Sequence, residues 1–180
     1  RRVYSAAQVE KIAIADGGEG TVEAMVESLQ GEYRYAEVSD PIGNKVRARY
    51  GIVNGDTAII EMAEASGLYL VPKEKRNPLT TSTYGTGELI RDALSRGCRK
   101  IILGIGGSAT NDGGMGMAAA LGVKFFDQDG EPLAMGGGFL DRLQRIDISS
   151  IMPLVHETEF VAACDVNNPL CGERGASRVF

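Results

Sequence analysis

Residues 101–122 read IILGIGGSATNDGGMGMAAALG. With Lys100, the first residues make KIILG, a continuous apolar run, which predicts a strand buried on both faces of a sheet. A glycine-rich loop follows, and then a short helix over 115–121 that Gly122 stops. Eleven of the chain's 24 glycines fall between Ile101 and Leu140 without a fixed period, which excludes a collagen-like chain or a repeat array. Strand, glycine loop, helix is also the physical recipe for an anion site. Glycines let backbone N–H groups point inward, and a helix start adds about half a positive charge. Gly106, Gly107, Ser108, Thr110 and Asn111 are therefore candidate phosphate or carboxylate ligands. Asp112 is a candidate base or magnesium ligand. A connection built for packing alone does not call for three adjacent polar residues, Thr110, Asn111 and Asp112.

Two other motifs overlap this segment. No Lys-Ser/Thr pair follows the glycines, so it is not a Walker A loop. Gly104, Gly106 and Ala109 fit G-x-G-x-x-A after a strand, and Asp127 lies 23 residues beyond Gly104, near where a dinucleotide fold places its ribose-binding acid. A dinucleotide-dependent oxidoreductase is thus an alternative. A small-anion binding module without turnover is another.

Upstream, residues 9–15 (VEKIAIA) alternate as a strand does, and ADGGEGT (15–21) repeats the strand–glycine–helix passage. Asp16, Gly17, Gly18 and Glu19 are candidates there for magnesium or polyol hydroxyls, with helix capping as the plainer role. Thr21 starts a helix carrying Val22, Met25, Val26 and Leu29 on one face, and Gly31 stops it. Strands are predicted over 33–38, 46–53 and 57–62, with Asn54-Gly55 as a hairpin signal. A short helical piece over 63–70 ends before Pro72. In TTSTYGTGE (80–88), Thr86 is a candidate ligand for substrate oxygens, or else a helix cap before a helix over 88–96. Downstream, 159–164 reads as a second buried strand, with Cys164 as a small buried hydrophobe. Asp165 after it is a candidate catalytic carboxylate, because α/β ligand sites lie beyond strand carboxyl ends. Strands alternating with helices, plus an inserted hairpin, predict an α/β fold with a mixed sheet.

The formal charge of −5 argues against nucleic acid or an anionic membrane as the partner, since both demand basic patches. No apolar run approaches ~18 residues. Three cysteines at irregular spacing suit a reduced cytoplasmic protein, and the one histidine, His156, has no motif around it. A homo-oligomer is compatible with this composition.

Four of these segments, ADGGEGTVEA (15–24), TYGTGELI (83–90), IILGIGGSATNDGGMGM (101–117) and ACDVNNPL (163–170), with EMAEASGL (61–68), together resemble the glycerate kinase family that includes bacterial glycerate 2-kinases. The resemblance implies a two-domain α/β fold, a flavodoxin-like domain with a mixed-sheet domain inserted. Residues 1–41 would be a remnant of the first and 42–180 part of the second. It implies ATP and Mg2+, D-glycerate as acceptor, and 2-phosphoglycerate as the favoured product. The family's A-P-D-S-F-K-like start and G-P-Q-K-G-A-like continuation are absent, so the chain reads as an internal piece that needs the rest for activity.

Overall fold

The computed structural model describes residues 16–164 and 166–179. The strand expected over 9–15 and the candidate Asp165 lie outside them. The described chain is a mixed α/β structure. Its helices are α1 (Thr21–Ser28), α2 (Ala63–Ser66), α3 (Tyr84–Ser95), α4 (Met115–Ala120) and α5 (Ala176–Val179). Its strands are β1 (Glu32–Ser39), β2 (Lys45–Val53), β3 (Thr57–Glu61), β4 (Lys100–Gly104), β5 (Lys124–Phe126), β6 (Arg145–Asp147) and β7 (Glu159–Ala163). The main sheet has the order β1-β2-β3-β4-β7, and β5-β6 form a separate antiparallel ribbon. β1, β2 and β3 run antiparallel in sequence, whereas β3, β4 and β7 are parallel.

The turns follow sequence chemistry. Asn54 and Gly55 both take positive φ, 54° and 83°, and join β2 to β3 as the Asn-Gly signal predicts. Asp40 closes the β1–β2 turn by accepting the Ile42 and Asn44 N–H groups through Oδ1, both at 2.9 Å. That turn contains the 41/42 division expected between two domains, and it links two strands of one sheet.

Both sheet faces acquire a core. On one, Tyr50, Ile60 and Ile101 pack with Leu89, Ile90 and Leu94 of α3. On the other, Val22 and Val26 of α1 pack on Val53 and Ile59. Leu29, expected on the same helical stripe, is instead exposed, because α1 ends at Ser28. Gln30 carries the positive φ there, at 52°. Gly31 is needed for space instead: a Cβ on it would sit 2.5 Å from the Ile52 carbonyl oxygen.

α3 begins four residues before the expected Glu88. Gly85 and Gly87 make the TYGTG run look like a loop, since each glycine costs a helix about 1 kcal/mol. Both lie inside the helix because neighbouring backbone leaves no room for a side chain. A Cβ at Gly85 would collide with the Ser39 carbonyl, and one at Gly87 with the Met117 carbonyl. β7 also differs from expectation. It is the edge of the sheet, bonded to β4 alone among the described strands, and Phe160 is 44% exposed. Cys164 after it is exposed as well. An apolar run identifies a strand but not its place in the sheet order.

Glu88 pins α3 to the end of β1. Its Oε2 accepts the Ser39 N–H at 2.6 Å, and Lys45 Nζ lies 3.2 Å from Oε1. Burial works to raise the carboxyl's pKa, but the Ser39 and Lys45 donors outweigh it and hold the group below the ordinary glutamate range. A depressed folded pKa adds stability above the unfolded value, about 4.3, that is lost as pH falls through the folded one. Glu88→Gln is expected to lower stability to urea at pH 7 by about 1–3 kcal/mol and to flatten the loss of stability below pH ~4.3. Gly87→Ala is expected to cost about 1–3 kcal/mol in the same unfolding measurement, through overpacking of α3 against α4.

Candidate functional site

The two glycine loops, far apart in sequence, meet beyond the carboxyl ends of β4 and β7. The Gly106 N–H donates to the Gly17 carbonyl at 3.3 Å, and the Ile105 N–H to the Ala163 carbonyl at 3.4 Å. This approach depends on missing side chains. A Cβ on Gly17 would sit 2.5 Å from the Ala163 carbonyl oxygen, and one on Gly106 would sit 2.8 Å from the Gly18 Cα. Segments 16–21, 101–112 and 163–164 are thereby brought together where α/β proteins place ligands.

Inside this junction the helix starts are already occupied by the protein's own carboxylates. Asp112 is 1% exposed. Its Oδ2 accepts the Thr83 N–H at 2.9 Å and the Gly116 N–H at 3.1 Å, and its Oδ1 accepts the Gly114 N–H at 3.0 Å. The Thr83 hydroxyl lies 3.0 and 2.9 Å from the two oxygens and accepts the Met117 N–H at 2.9 Å. One carboxylate and one hydroxyl thus satisfy the first turn of α4 and tie it to the start of α3. The expected anion seat at that helix start has no donors to spare. Asp112, expected as base or metal ligand, occupies the geometry of a clamp.

Glu61 has the corresponding role at α1. It ends β3, is 4% exposed, and accepts the Val22 N–H at 2.7 Å. Burial pushes its carboxyl above the ordinary glutamate range, against the lowering pull of the Val22 N–H. Sequence spacing singled out neither Glu61 nor Thr83. Glu61 sits 39 residues from its partner and Thr83 sits 29 from Asp112, and no local pattern links residues so far apart.

The other candidates divide by exposure. Thr86 is fully buried, its Oγ1 2.7 Å from Ser66 Oγ, where it joins α2 to α3. Thr110 is buried with its Oγ1 2.6 Å from Ser108 Oγ, and this pair shapes the loop. Asp16 and Glu19 are exposed. Asp16 Oδ1 accepts the Gly18 N–H at 3.0 Å, and Glu19 Oε1 comes within 4.0 Å of where a Gly107 Cβ would stand. Gly107 and Ser108 lie at the surface of the same junction, and Asn111 is half-buried beyond them.

Asp112 therefore provides no free metal oxygen, whereas Asp16 and Glu19 keep solvent-facing carboxylates that suit a hydrated magnesium ion. Among the described residues no group of three or more His, Cys, Asp and Glu side chains is arranged to hold a metal. The dinucleotide alternative fails on topology. The strand after α4, β5, pairs with β6 in the separate ribbon, whereas β4 is flanked by β3 and β7. Asp127 closes its own turn through the Asp129 and Glu131 N–H groups and binds Arg142 at 2.9 Å.

Residues 1–180 match the sequence profile of the Glycerate kinase family. The chain is 57% identical over 182 residues to a protein named glycerate kinase from Halalkalibacterium halodurans. It is 55% identical over 181 residues to the glycerate 2-kinase of Escherichia coli K12. Each alignment covers 100% of this chain and 48% of the relative. The crystal structure of a protein assigned as glycerate kinase 2 from Salmonella typhimurium LT2 superposes with a TM-score of 0.90 at 51% identity. That match covers 100% of this chain and 49% of the other. The chain spans about half the length of the relatives it matches.

Asp112→Asn leaves one oxygen to receive the donors that two now receive. It is expected to reduce unfolding stability by about 2–3 kcal/mol, the scale of a lost hydrogen bond to a buried charge. Denaturant titration of the complete protein checks this. A loss of turnover with stability unchanged would instead assign Asp112 to the chemistry.

Proposed function

The chain belongs to the glycerate kinase family, and from that premise we propose that the complete protein phosphorylates D-glycerate with ATP. The observation that carries the reading beyond kinship is the junction of the two glycine loops at the strand ends. Phosphoryl transfer asks a protein chiefly for positioning and neutralisation of charge. Backbone N–H groups of Gly107 and Ser108 are the proposed contacts for phosphate or carboxylate oxygens, with Gly106 holding their loop against Gly17. Asn111 is proposed to orient the acceptor. Asp16 and Glu19, with Gly17 and Gly18 fixing their loop, are the proposed carboxylates for magnesium or the acceptor hydroxyls. When bound with ATP, magnesium supplies neutralisation of charge on the transferring group. Asp112, Thr86 and Thr110 are proposed to act through geometry, by holding the loops that carry these groups. Asp165 is retained as a proposed catalytic carboxylate on sequence grounds.

Transfer to the 2-hydroxyl is favoured, because the E. coli relative carries the name glycerate 2-kinase. The two-domain organisation belongs to the same proposal. β1 is bonded along its length to β2, so the crossing between domains would fall outside that hairpin. A cytoplasmic location accords with three free cysteines, and no helix among the described residues is long and apolar enough to cross a membrane.

The complete protein, given ATP, magnesium and D-glycerate, is expected to release ADP only when glycerate is present, with 2-phosphoglycerate as product. A folded protein that consumes no ATP under these conditions would overturn the reading. Glu19→Gln is expected to lower kcat by about tenfold or more, as the loss of a metal or hydroxyl ligand does, with unfolding stability unchanged.

A further inference from the structure

We propose that the groove between loops 77–79, 111–113, 137–141 and 170–177 receives the adenosine half of ATP, leaving the glycine junction to the phosphates and the acid. This rests on the kinase reading above. The groove encloses about 630 Å3, within the range of small-molecule sites and far more than a three-carbon acid fills. Pro78, Leu79, Leu140 and Leu170 give it apolar walls. Asn77 supplies an amide: it accepts the Leu79 N–H through Oδ1 at 3.1 Å, leaving its amide nitrogen to donate to a ring nitrogen.

Charge decides which part of the ligand enters. Among the described residues neither Lys nor Arg lines the groove, and the one charged lining residue is Asp141. A triphosphate or a carboxylate would meet an uncompensated negative charge there. A neutral base would meet apolar walls, and ribose hydroxyls can donate to the Asp141 carboxylate. Another surface cavity among the described residues, about 360 Å3, carries Glu19, Glu61 and Glu64 around Arg49, and Arg49 is engaged by Glu64 at 3.3 Å. It suits a base less well.

Position agrees with charge. Asn111 lines the groove and lies in the same loop, 105–114, as Gly106 and Gly107. Gly107 and Asn111 are four residues apart, at most about 14 Å along an extended chain. A nucleoside triphosphate is long enough to span that distance, with its base in the groove and its phosphates at Gly107.

Leu79 and Leu170 are 59% and 53% exposed, so polar replacements there leave the core intact. Leu79→Asp and Leu170→Asp in the complete protein are expected to raise KM for ATP by about tenfold, equivalent to about 1.4 kcal/mol of binding. KM for D-glycerate is expected to stay within about twofold. An unchanged KM for ATP, or a rise confined to glycerate, would overturn the groove assignment while the wild-type protein still turns over. Absence of glycerate-dependent ADP release from the wild-type protein would instead remove the kinase reading on which the assignment rests.

Discussion

The arrangement at the strand ends depends on one buried carboxylate. Asp112 receives three backbone N–H groups and the Thr83 hydroxyl with almost no access to water. A buried anion is tolerable only when its lone pairs are filled, and here the donors come from the starts of two helices. The first turn of α4 would otherwise leave its N–H groups orphaned in a buried position. The clamp therefore satisfies both sides at once. It also fixes where the loop 105–114 can run, because both the end of that loop and Thr83 are held by the same two oxygens.

Glycine is the complementary constraint. At Gly17, Gly104 and Gly106 the missing side chain lets two loops and two strand ends touch backbone to backbone. At Gly87 and Gly116 it lets α3 and α4 cross closely beside the clamp. Both effects concentrate polar backbone in a small volume. The internal carboxylates of Asp112 and Glu61 neutralise the helix starts and leave the exposed loop atoms and the carboxylates of Asp16 and Glu19 facing outward. Functional groups carried on loops that a rigid scaffold holds in place are the common arrangement in α/β proteins.

The parallel half of the sheet and its antiparallel half serve different ends. β1, β2 and β3 follow one another through tight turns, and their antiparallel pairing builds most of the core with α3 and α1. β3, β4 and β7 all run the same way, so their carboxyl ends align on one side. Glu61, Gly104 and Ala163 end these three strands in register. That alignment, and not any local signal, collects the site.

The sequence by itself determined the class of fold, the hairpin at Asn54-Gly55, the presence of a helix where α3 stands and the glycine loops as the place to look. These are local matters of periodicity, turn chemistry and glycine tolerance, which a chain expresses within a few residues. Kinship was legible too, because four co-linear segments carry it. Only the tertiary structure decided that Asp112 is a clamp, that Glu61 and Thr83 belong to the junction, that Thr86 is internal, and that β7 is the edge among the described strands. Each of these depends on a partner 20 or more residues away, and the burial of a polar group is fixed by that partner. An aspartate in a glycine loop has the same letters whether its oxygens face a ligand or a backbone; the donors around it, supplied by distant segments, make the difference.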